Sequence, residues 1–534
     1  MKPRLLLCAV ALLPVVLSAQ PDTVWTRIYD GEAHKDDAAT TIAVDPAGNA
    51  YVAGQTMTAN DLPDYLIIKY RPNGDTAWVR TYDGPANNGD AARAVAIDGL
   101  GSAYVTGSSK GVGTGDDFTT IKYDSVGNQL WVARYTTPGD SCDVAQFVMP
   151  GPAGSAYIAG RASVSLYDFD YLTIKYSPTG DTLWVRRFSN GGGSMQYVAG
   201  LSVDSAGSAC VTGFDTNGPT AITVKYSTDG DLVWSSSYTP ATASAMAADG
   251  LDRVYVGGNR PSAPPYHRTD ATVIAYDAVT GDTVWVSTWD GGTQEWDGIE
   301  LLAVAPDGSL YGAGYTVNDT VNEDLDYLII KWQQNGDTAW VRTNPGLCPG
   351  GDDEIEAIAV DSVGNAYVTG SCSDSVGMPA ILTAKYDADG TEVWRMLYRP
   401  DAFGYTSDGV ALHGVGGSPE VYVVGDRGNG LPYSWDCVTI KYAQPTSIEQ
   451  PPSGLVPPAA PVATISHSSL LMPLASRAGR VDFVLLDVSG RRVADLWPGP
   501  NDISRLASGV YFIRQGPGTR GEGLGKTRKI VLTE

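Results

Sequence analysis

The chain has 534 residues, of which 43% are hydrophobic and 18% are charged, and its formal net charge is −24. So acidic a chain lacks the basic face that a phosphate backbone or an anionic membrane surface requires, so we expect no nucleic acid or anionic membrane surface as a partner. The length exceeds one ordinary domain of roughly 100–200 residues unless the fold is a large all-β one.

The first 19 residues have the layout of a secretory signal peptide. Lys2 and Arg4 precede an apolar run, Leu5–Leu17, and the small residues Ser18 and Ala19 follow it. The run is shorter than the roughly 20 residues of a membrane span. We therefore predict a signal peptide over 1–19 and a mature chain, without a transmembrane span, that is secreted or held at the outer cell surface.

Three short motifs then recur in a fixed order, eight times each. They resemble AYVTG, DYLIIKY and GDTAWVRTY in the one-letter code. The third motif carries a tryptophan in each of its eight copies: Trp25, Trp78, Trp131, Trp184, Trp234, Trp285, Trp340 and Trp394. The first four of these tryptophans are each 53 residues apart. Eight ordered copies indicate a repeat protein.

Each unit has the pattern of four antiparallel strands. Alternating segments and apolar runs are separated by turn residues, and Asn73-Gly74 and Asp229-Gly230 predict type I′ turns before the tryptophan strand. Four-stranded repeats of this length are typical of β-propeller blades. The first tryptophan strand has no strands before it, and the last unit lacks one. We therefore predict an all-β fold with an eight-bladed propeller over 22–442, closed by the N-terminal strand, with a solenoid of stacked sheets as the alternative.

These motifs resemble the SBBP-type bacterial β-propeller repeat. The segment Ala275–Trp285, AYDAVTGDTVW, is also similar to the tryptophan-docking motif of pyrroloquinoline-quinone (PQQ) propellers. The resemblance implies that each tryptophan packs between neighbouring blades rather than stacking on a ligand. Quinoprotein dehydrogenases of that class use Ca²⁺, a catalytic Asp and often a disulfide of adjacent cysteines, and this chain has no adjacent cysteines. Cys348 and Cys372 are the candidate disulfide pair, and small buried thiols are the alternative.

The C-terminal part begins with a Pro-rich linker over 443–464. Residues 465–534 then contain three strand-like segments that resemble the C-terminal sorting domain of type IX secretion cargo and the related FlgD-like immunoglobulin-type fold: Asp487–Val493, Ala507–Arg514 and Lys529–Leu532. The resemblance implies a small β-sandwich that the export machinery recognises. An ordinary accessory β-sandwich is the alternative.

Aspartates recur at two places in the unit. In six units an aspartate opens the first strand: Asp37, Asp90, Asp143, Asp297, Asp353 and Asp408. Gln196 and Ala241 occupy this position in the other two units. A second series opens the third strand: Asp64, Asp117, Asp170, Asp270, Asp326 and Asp436. One hypothesis is a ring of carboxylates that binds Ca²⁺, and the other, which we favour, is that each Asp accepts backbone N–H bonds in its own turn.

Departures from the repeat indicate where a ligand would bind. The fifth unit has a Pro-rich insert, Asn259–Arg268, with Tyr266 and His267, and the sixth carries Asn318–Leu325. Both join the second and third strands, on the face of the Asp series. Tyr266 and His267 are therefore our candidate binding loop.

The sequence favours a function without catalysis. It has four histidines, and it contains no H-E-x-x-H. We expect a monomeric, exported binding or scaffold protein with an extracellular protein or glycan ligand, no catalytic residues and no cofactor, with Ca²⁺ as the only ion under consideration. The alternative is an enzyme, either a quinoprotein-like propeller or a Ca²⁺-dependent carbohydrate-active one.

Overall fold

The computed structural model describes most of residues 20–444 and seven short strands near the C-terminus. The described ranges of the main part are 20–137, 142–165, 168–191, 193–239, 241–250, 252–262, 268–292, 296–317, 325–344, 353–373, 378–401, 404–414, 417–428 and 435–444. The signal-peptide prediction at 1–19 and most of the predicted linker lie outside the described residues.

Eight four-stranded antiparallel sheets make up this part, and each is one blade. Blades 1 to 4 consist of β2 Asp37–Val44, β3 Ala50–Met57, β4 Pro63–Tyr70 and β5 Thr76–Tyr82; β6 Asp90–Ile97, β7 Ala103–Gly111, β8 Thr114–Tyr123 and β9 Gln129–Tyr135; β10 Val144–Pro150, β11 Ala156–Ser165, β12 Asp168–Tyr176 and β13 Thr182–Phe188; β14 Gln196–Val203, β15 Ala209–Asp215, β16 Thr220–Tyr226 and β17 Leu232–Tyr238. A single 3₁₀ turn, Pro152–Gly154, lies between β10 and β11.

Blades 5 to 8 repeat the arrangement. Their strands are β18 Ala245–Ala248, β19 Arg253–Pro261, β20 Thr269–Asp277 and β21 Thr283–Trp289; β22 Asp297–Val304, β23 Leu310–Val317, β24 Leu325–Trp332 and β25 Thr338–Asn344; β26 Asp353–Val360, β27 Ala366–Ser373, β28 Pro379–Tyr386 and β29 Glu392–Tyr398; β30 Tyr405–His413, β31 Glu420–Gly428, β32 Trp435–Ala443 and, from the N-terminus, β1 Asp22–Tyr29.

The N-terminal strand closes the ring, as the sequence predicts. β1 pairs antiparallel with β32, from Asp22 opposite Ala443 to Tyr29 opposite Cys437. The first strand of every blade contacts the first strands of both neighbours, including β30 with β2. The eight-bladed all-β propeller is therefore confirmed, with the first strands around its central channel.

Burial follows the position of a strand in its blade. The second and third strands are covered on both sides by neighbouring blades, so that all but one residue of the run Tyr65–Tyr70 is under 4% exposed. The first strands alternate between buried and open positions, as in β26. This difference explains why the DYLIIKY motif is a continuous apolar run interrupted only by its lysine, whereas the first strand alternates.

The hairpin turns differ from the type I′ prediction. Gly74 has a φ of +85°, but Asn73 is not among the residues with positive φ. Gly74 N–H donates to the Arg71 carbonyl and Arg71 N–H donates to the Asp75 carbonyl, each at 2.8 Å. This is a type I turn followed by a glycine bulge, which requires positive φ at the glycine alone. The Asn-Gly and Asp-Gly pairs predicted the hairpin correctly and the turn type wrongly.

The C-terminal strands form a second compact unit, which begins near residue 448. β33 Thr464–Ser466, β34 Ser469–Met472 and β37 Gly499–Asp502 form one sheet. β36 Arg492–Leu496, β35 Phe483–Leu486, β38 Gly509–Gln515 and β39 Thr527–Leu532 form the other, in that order. The described elements of this unit are all β-strands. Their arrangement as an immunoglobulin-like sandwich stays a prediction.

No helix in the described part of the chain has the length and apolar character needed to cross a bilayer.

Candidate functional site

The repeated tryptophans lie between blades. In seven copies the indole N–H donates to a backbone carbonyl in the next blade, at 3.0–3.4 Å: Trp25 to Pro72, Trp78 to Ser125, Trp131 to Pro178, Trp184 to Thr228, Trp234 to Ala278, Trp285 to Gln334 and Trp340 to Ala388. The eighth, Trp394, donates to Oε1 of Gln444 at 2.9 Å. Each ring thus contacts the turn between the third strand and the tryptophan strand of the following blade, or the segment that replaces it.

Two further residue types complete this contact, and the sequence interpretation missed both. A Cβ placed on Gly180 would lie 2.8 Å from the Trp131 ring, so the turn glycine is needed for close approach as well as for its φ of +89°. Arg80, two residues after Trp78, donates from Nε to the Gly127 carbonyl at 2.8 Å. The arginine could have been found from the repeated WVR segment, and the glycine from the Asn-Gly and Asp-Gly pairs that recur before the tryptophan strand.

A second interblade cluster joins a tyrosine, a lysine and an aspartate. The Tyr51 hydroxyl donates to Asp45 Oδ2 at 3.2 Å and to the Gly101 carbonyl of the next blade at 3.1 Å. The Lys69 ammonium lies 4.6 Å from the centre of the Tyr51 ring and 3.7 Å from Asp45 Oδ2. The lysine lies over the tyrosine in six blades, at 4.5–5.1 Å. The AYVTG and DYLIIKY motifs therefore encode a contact between blades.

The first-strand aspartates accept hydrogen bonds from the connection that enters their own strand. Four of them bind the backbone N–H six residues earlier at 2.5–2.9 Å: Asp37 from Gly31, Asp90 from Gly84, Asp143 from Thr137 and Asp297 from Gly291. Asp143 also accepts from Ser163 N–H at 3.1 Å. Asp353 is buried, and residue 347 lies outside the described part of the chain. This geometry supports the turn role that the sequence analysis favours.

Asp408 does not belong to this series. The first strand of blade 1 has a bulge between Ala39 and Thr41, and that of blade 8 has one between Ser407 and Gly409. Asp408 is therefore the bulge residue, and Tyr405 occupies the position of Asp37. Spacing alone misaligned the unit by three residues, because the adjacent Asp-Gly pair resembles the start of the other first strands.

Two groups of carboxylates lie between blades on the face of both Asp series. Asp30, Asp37 and Asp436 form one group, and one blade on, Asp83, Asp90 and Asp64 form its equivalent; in each group a carboxylate oxygen of every member lies within 4.8 Å of the others. Burial, reinforced by repulsion from Asp83 and Asp90, raises the pKa of Asp64 to about 6. Such a group has the oxygen donors that a hard cation prefers.

Arginine lies beside the third-strand aspartate in three blades, and one of these is Asp436 of the first group, 3.6 Å from Arg427. Arg134 lies 2.9 Å from Asp117, and Arg187 lies 2.5 Å from Asp170. The third-strand aspartates therefore do not form one uniform ring of cation ligands: the sequence series is continuous, but its partners change from blade to blade.

The bulge residues of the first strands form an asymmetric set around the channel. In the seven blades with a described bulge they are Thr40, Arg93, Gln146, Ala199, Glu300, Glu356 and Asp408. Blades 6, 7 and 8 thus carry consecutive carboxyl groups. Reduced hydration, followed by repulsion between neighbouring acids, raises the pKa of Glu300 and of Glu356.

Asp408 and Asp426 form a pair of carboxyl groups beside this set. Burial raises the pKa of both; repulsion from Asp426 adds to the effect at Asp408, and repulsion from Asp36 and Asp37 adds to it at Asp426. Asp426 Oδ1 accepts from Ala39 N–H at 2.9 Å, whereas Asp408 Oδ2 has no hydrogen-bond partner within the described residues. The pair is therefore suited to hold a proton near neutral pH. The sequence interpretation did not single out Asp426.

The candidate binding residues Tyr266 and His267 lie outside the described residues, as do residues 318–324 and Cys348. The ends of the fifth-unit insert are described: Asn259 belongs to β19, and Ser262 N–H donates to the Arg268 carbonyl at 2.9 Å. The loop prediction therefore stays a prediction.

Comparison with protein families gives a match to the beta-propeller repeat model SBBP, over residues 24–63 and 349–372. Comparison with curated proteins gives no match. Among solved structures, the chain is similar to the BP39L lectin of Burkholderia pseudomallei, with 11% identity and a TM-score of 0.40 over 68% of this chain and 100% of the lectin. It is also similar to Chaetomium thermophilum Raptor, with 11% identity and a TM-score of 0.38 over 65% of this chain and 27% of that one. The match thus spans about a quarter of the length of Raptor.

Proposed function

We propose that the protein is an exported β-propeller without catalytic activity that binds an extracellular protein or a glycan outside the cell or at its surface. The observation that carries this proposal is the use of the repeated residues. The tryptophan N–H groups and the tyrosine hydroxyls bond the next blade, and the first-strand aspartates bond the connections that enter their strands. A frame built in this way leaves recognition to the residues that break the symmetry.

The ends of the chain support export. The layout of residues 1–19 is that of a signal peptide, and the motifs within 465–534 resemble a sorting domain that serves as a secretion or anchoring signal, joined to the ring by the linker 443–464. In this proposal the ring is the cargo, and the export machinery is the partner of the C-terminal unit.

Cell fractionation of the native host tests the export proposal. The full chain is expected in the medium or on the outer surface, with a mature N-terminus at Gln20, while a variant ending at residue 447 is expected to stay in the periplasm. Retention of the full chain in the cytoplasm would contradict export. Equal export of both variants would remove the sorting role alone.

A loop exchange tests the binding face. The mature chain is labelled and applied to a glycan array and to intact host cells. Replacement of residues 261–269 by the equivalent short connection of blade 4, residues 216–219, is expected to abolish a signal of the wild type. As a matched control, the same exchange is made in the opposite direction, so that the insert is placed in blade 4. An unchanged signal after removal from blade 5 would exclude this loop.

The carboxyl groups around the channel favour one second candidate, a carbohydrate-active propeller. Paired carboxyl groups, one of them protonated, are the groups that glycoside hydrolysis uses. Asp408→Asn is the deciding variant: sugar release from a polysaccharide panel by the wild type, lost in this variant, would establish the enzyme, and no release by either would exclude it for that panel.

A further inference from the structure

A cavity of about 440 Å³ lies at the blade where the repeat loses a tyrosine. The second strand carries tyrosine at one position in seven units and Cys210 in the fourth. Register confirms the equivalence, since Tyr51 lies opposite Lys69 and Cys210 lies opposite Lys225. Cys210 and Lys225 both line the cavity. The volume falls within the range of small-molecule sites, roughly 300–1,000 Å³.

The groups that surround the tyrosine in other blades are retained here. Asp204 corresponds to Asp45, which accepts a hydrogen bond from the Tyr51 hydroxyl in blade 1 at 3.2 Å. Lys225 Nζ lies 3.2 Å from Asp204 Oδ2 and donates to the Ala278 carbonyl at 2.9 Å. Lys69 makes the same two contacts in blade 1, with Asp45 and Ser125, and also covers the tyrosine ring. Blade 4 therefore has the lysine and the acceptor of a phenol site without the phenol.

The Asp204 carboxylate is ionised and can therefore accept a hydrogen bond from a hydroxyl group. Bonds from Ser208 N–H and Ala206 N–H and the nearby Lys225 lower the pKa of Asp204. Those two N–H groups bind Oδ1, which leaves Oδ2 on the side of Lys225. Burial raises the pKa of the Cys210 thiol to about 12, so the thiol stays protonated and is no nucleophile at neutral pH.

The rest of the cavity suits an aromatic ring. Leu201, Met246 and Val254 contribute apolar walls. Trp234 belongs to the same cluster as Cys210, whereas in blade 1 the corresponding Trp78 lies edge-on to Tyr51 with ring centres 5.9 Å apart. Methionine adapts its shape to irregular partners and makes favourable contacts with aromatic rings.

We propose that this cavity binds a small free phenol. Its ring occupies the space of the missing tyrosine beneath the Lys225 ammonium, and its hydroxyl donates to Asp204 Oδ2. Binding is reversible and forms no covalent bond. The cavity adjoins the turn of residues 204–208 and the N-terminal end of β19. The proposed binding loop follows the C-terminal end of β19, which is the other end of that strand. The two proposals therefore fail independently.

The test uses p-cresol, which is the tyrosine side chain as a free molecule. Calorimetric titration of the mature chain is expected to show one site, and toluene, which lacks the hydroxyl, is expected to bind roughly 10- to 150-fold more weakly, the range for a hydrogen bond to a charged group. Cys210→Tyr fills the space from within and is expected to abolish binding. Cys210→Ser keeps the space and is the matched control, with binding retained.

A second variant protects the test against misfolding of the first. Met246→Phe narrows the cavity from another wall and is expected to weaken p-cresol at least 10-fold. N-acetyltyrosinamide distinguishes the source of the phenol: weak binding supports a free phenol, and binding as tight as that of p-cresol overturns that part of the proposal in favour of a tyrosine side chain. No heat at millimolar p-cresol, or equal binding by wild type and Cys210→Tyr, would overturn the proposal as a whole.

Discussion

Replacement of Trp131 by alanine tests whether the tryptophans hold neighbouring blades together. The Trp131 side chain is 9% exposed, its N–H donates to the Pro178 carbonyl at 3.0 Å, and its ring centre lies 5.9 Å from that of Tyr176. Truncation of a buried tryptophan to alanine typically costs about 3–5 kcal/mol. The lost hydrogen bond belongs to that total, and Trp131→Phe should isolate it with a loss of about 1 kcal/mol plus a small packing term.

Urea unfolding followed by circular dichroism measures these differences. Trp296→Ala is the control, because this side chain is 38% exposed and is outside the repeated series. We expect a smaller loss for the control, because more of its side chain is already exposed to water. Equal losses for Trp131→Ala and Trp296→Ala would refute the reasoning. A loss confined to one blade's unfolding step would show instead that blades unfold separately.

Four further predictions follow from individual contacts. Gly180→Ala should lower the urea midpoint more than Gly191→Ala, because both have positive φ but only Gly180 lies against a tryptophan ring; equal effects would leave backbone strain as the whole cause. Asp143→Asn should cost about 1–3 kcal/mol in the same assay, since the buried carboxylate accepts two backbone N–H bonds; a neutral result would contradict the turn role. Stability should fall as pH rises from 4 to 8, because the folded state keeps protons on Asp408 and Asp426 that the unfolded state releases near pH 4; Asp408→Asn should gain about 1 kcal/mol or more at pH 8, one pKa unit being about 1.4 kcal/mol, and nothing at pH 4, whereas parallel curves would contradict it. Removal of residues 20–30 deletes β1 and should lower the melting temperature sharply, and addition of the peptide in trans should restore part of it; an unchanged melting temperature would contradict closure by β1.

The sequence was sufficient for the fold because every unit repeats the same physical pattern. A tryptophan strand without a sheet at the N-terminus and a sheet without its tryptophan strand at the C-terminus can satisfy each other only by pairing, and they do so from Asp22 to Tyr29. The turn type was predicted wrongly because the pair Asn73-Gly74 occurs in both type I′ turns and glycine-bulge turns. A second bulge, at Ala77 opposite Lys69 and Tyr70, depends on strand register, which local sequence does not encode.

The candidate sites were less accessible to sequence reasoning. Asp408 was aligned by its spacing, although the bulge places it three residues from the series position. Asp426 lies on a second strand and approaches Asp408 only through sheet pairing. The replacement of a repeated tyrosine by Cys210 was visible in the sequence, but only the position of Lys225 and Asp204 around the cavity gives it a chemical meaning.

A measurement of whether the repeated aspartates bind a metal ion tests the account as a whole most directly. Metal analysis of the purified mature chain, together with calorimetric melting with and without a chelator, decides between a hydrogen-bonded frame and a metal-binding ring. We predict no stoichiometric ion and the same melting temperature, because carboxylates such as Asp143 already receive backbone N–H bonds on both oxygens. A stoichiometric ion whose removal sharply lowers the melting temperature would contradict the account and would favour the calcium-dependent enzyme.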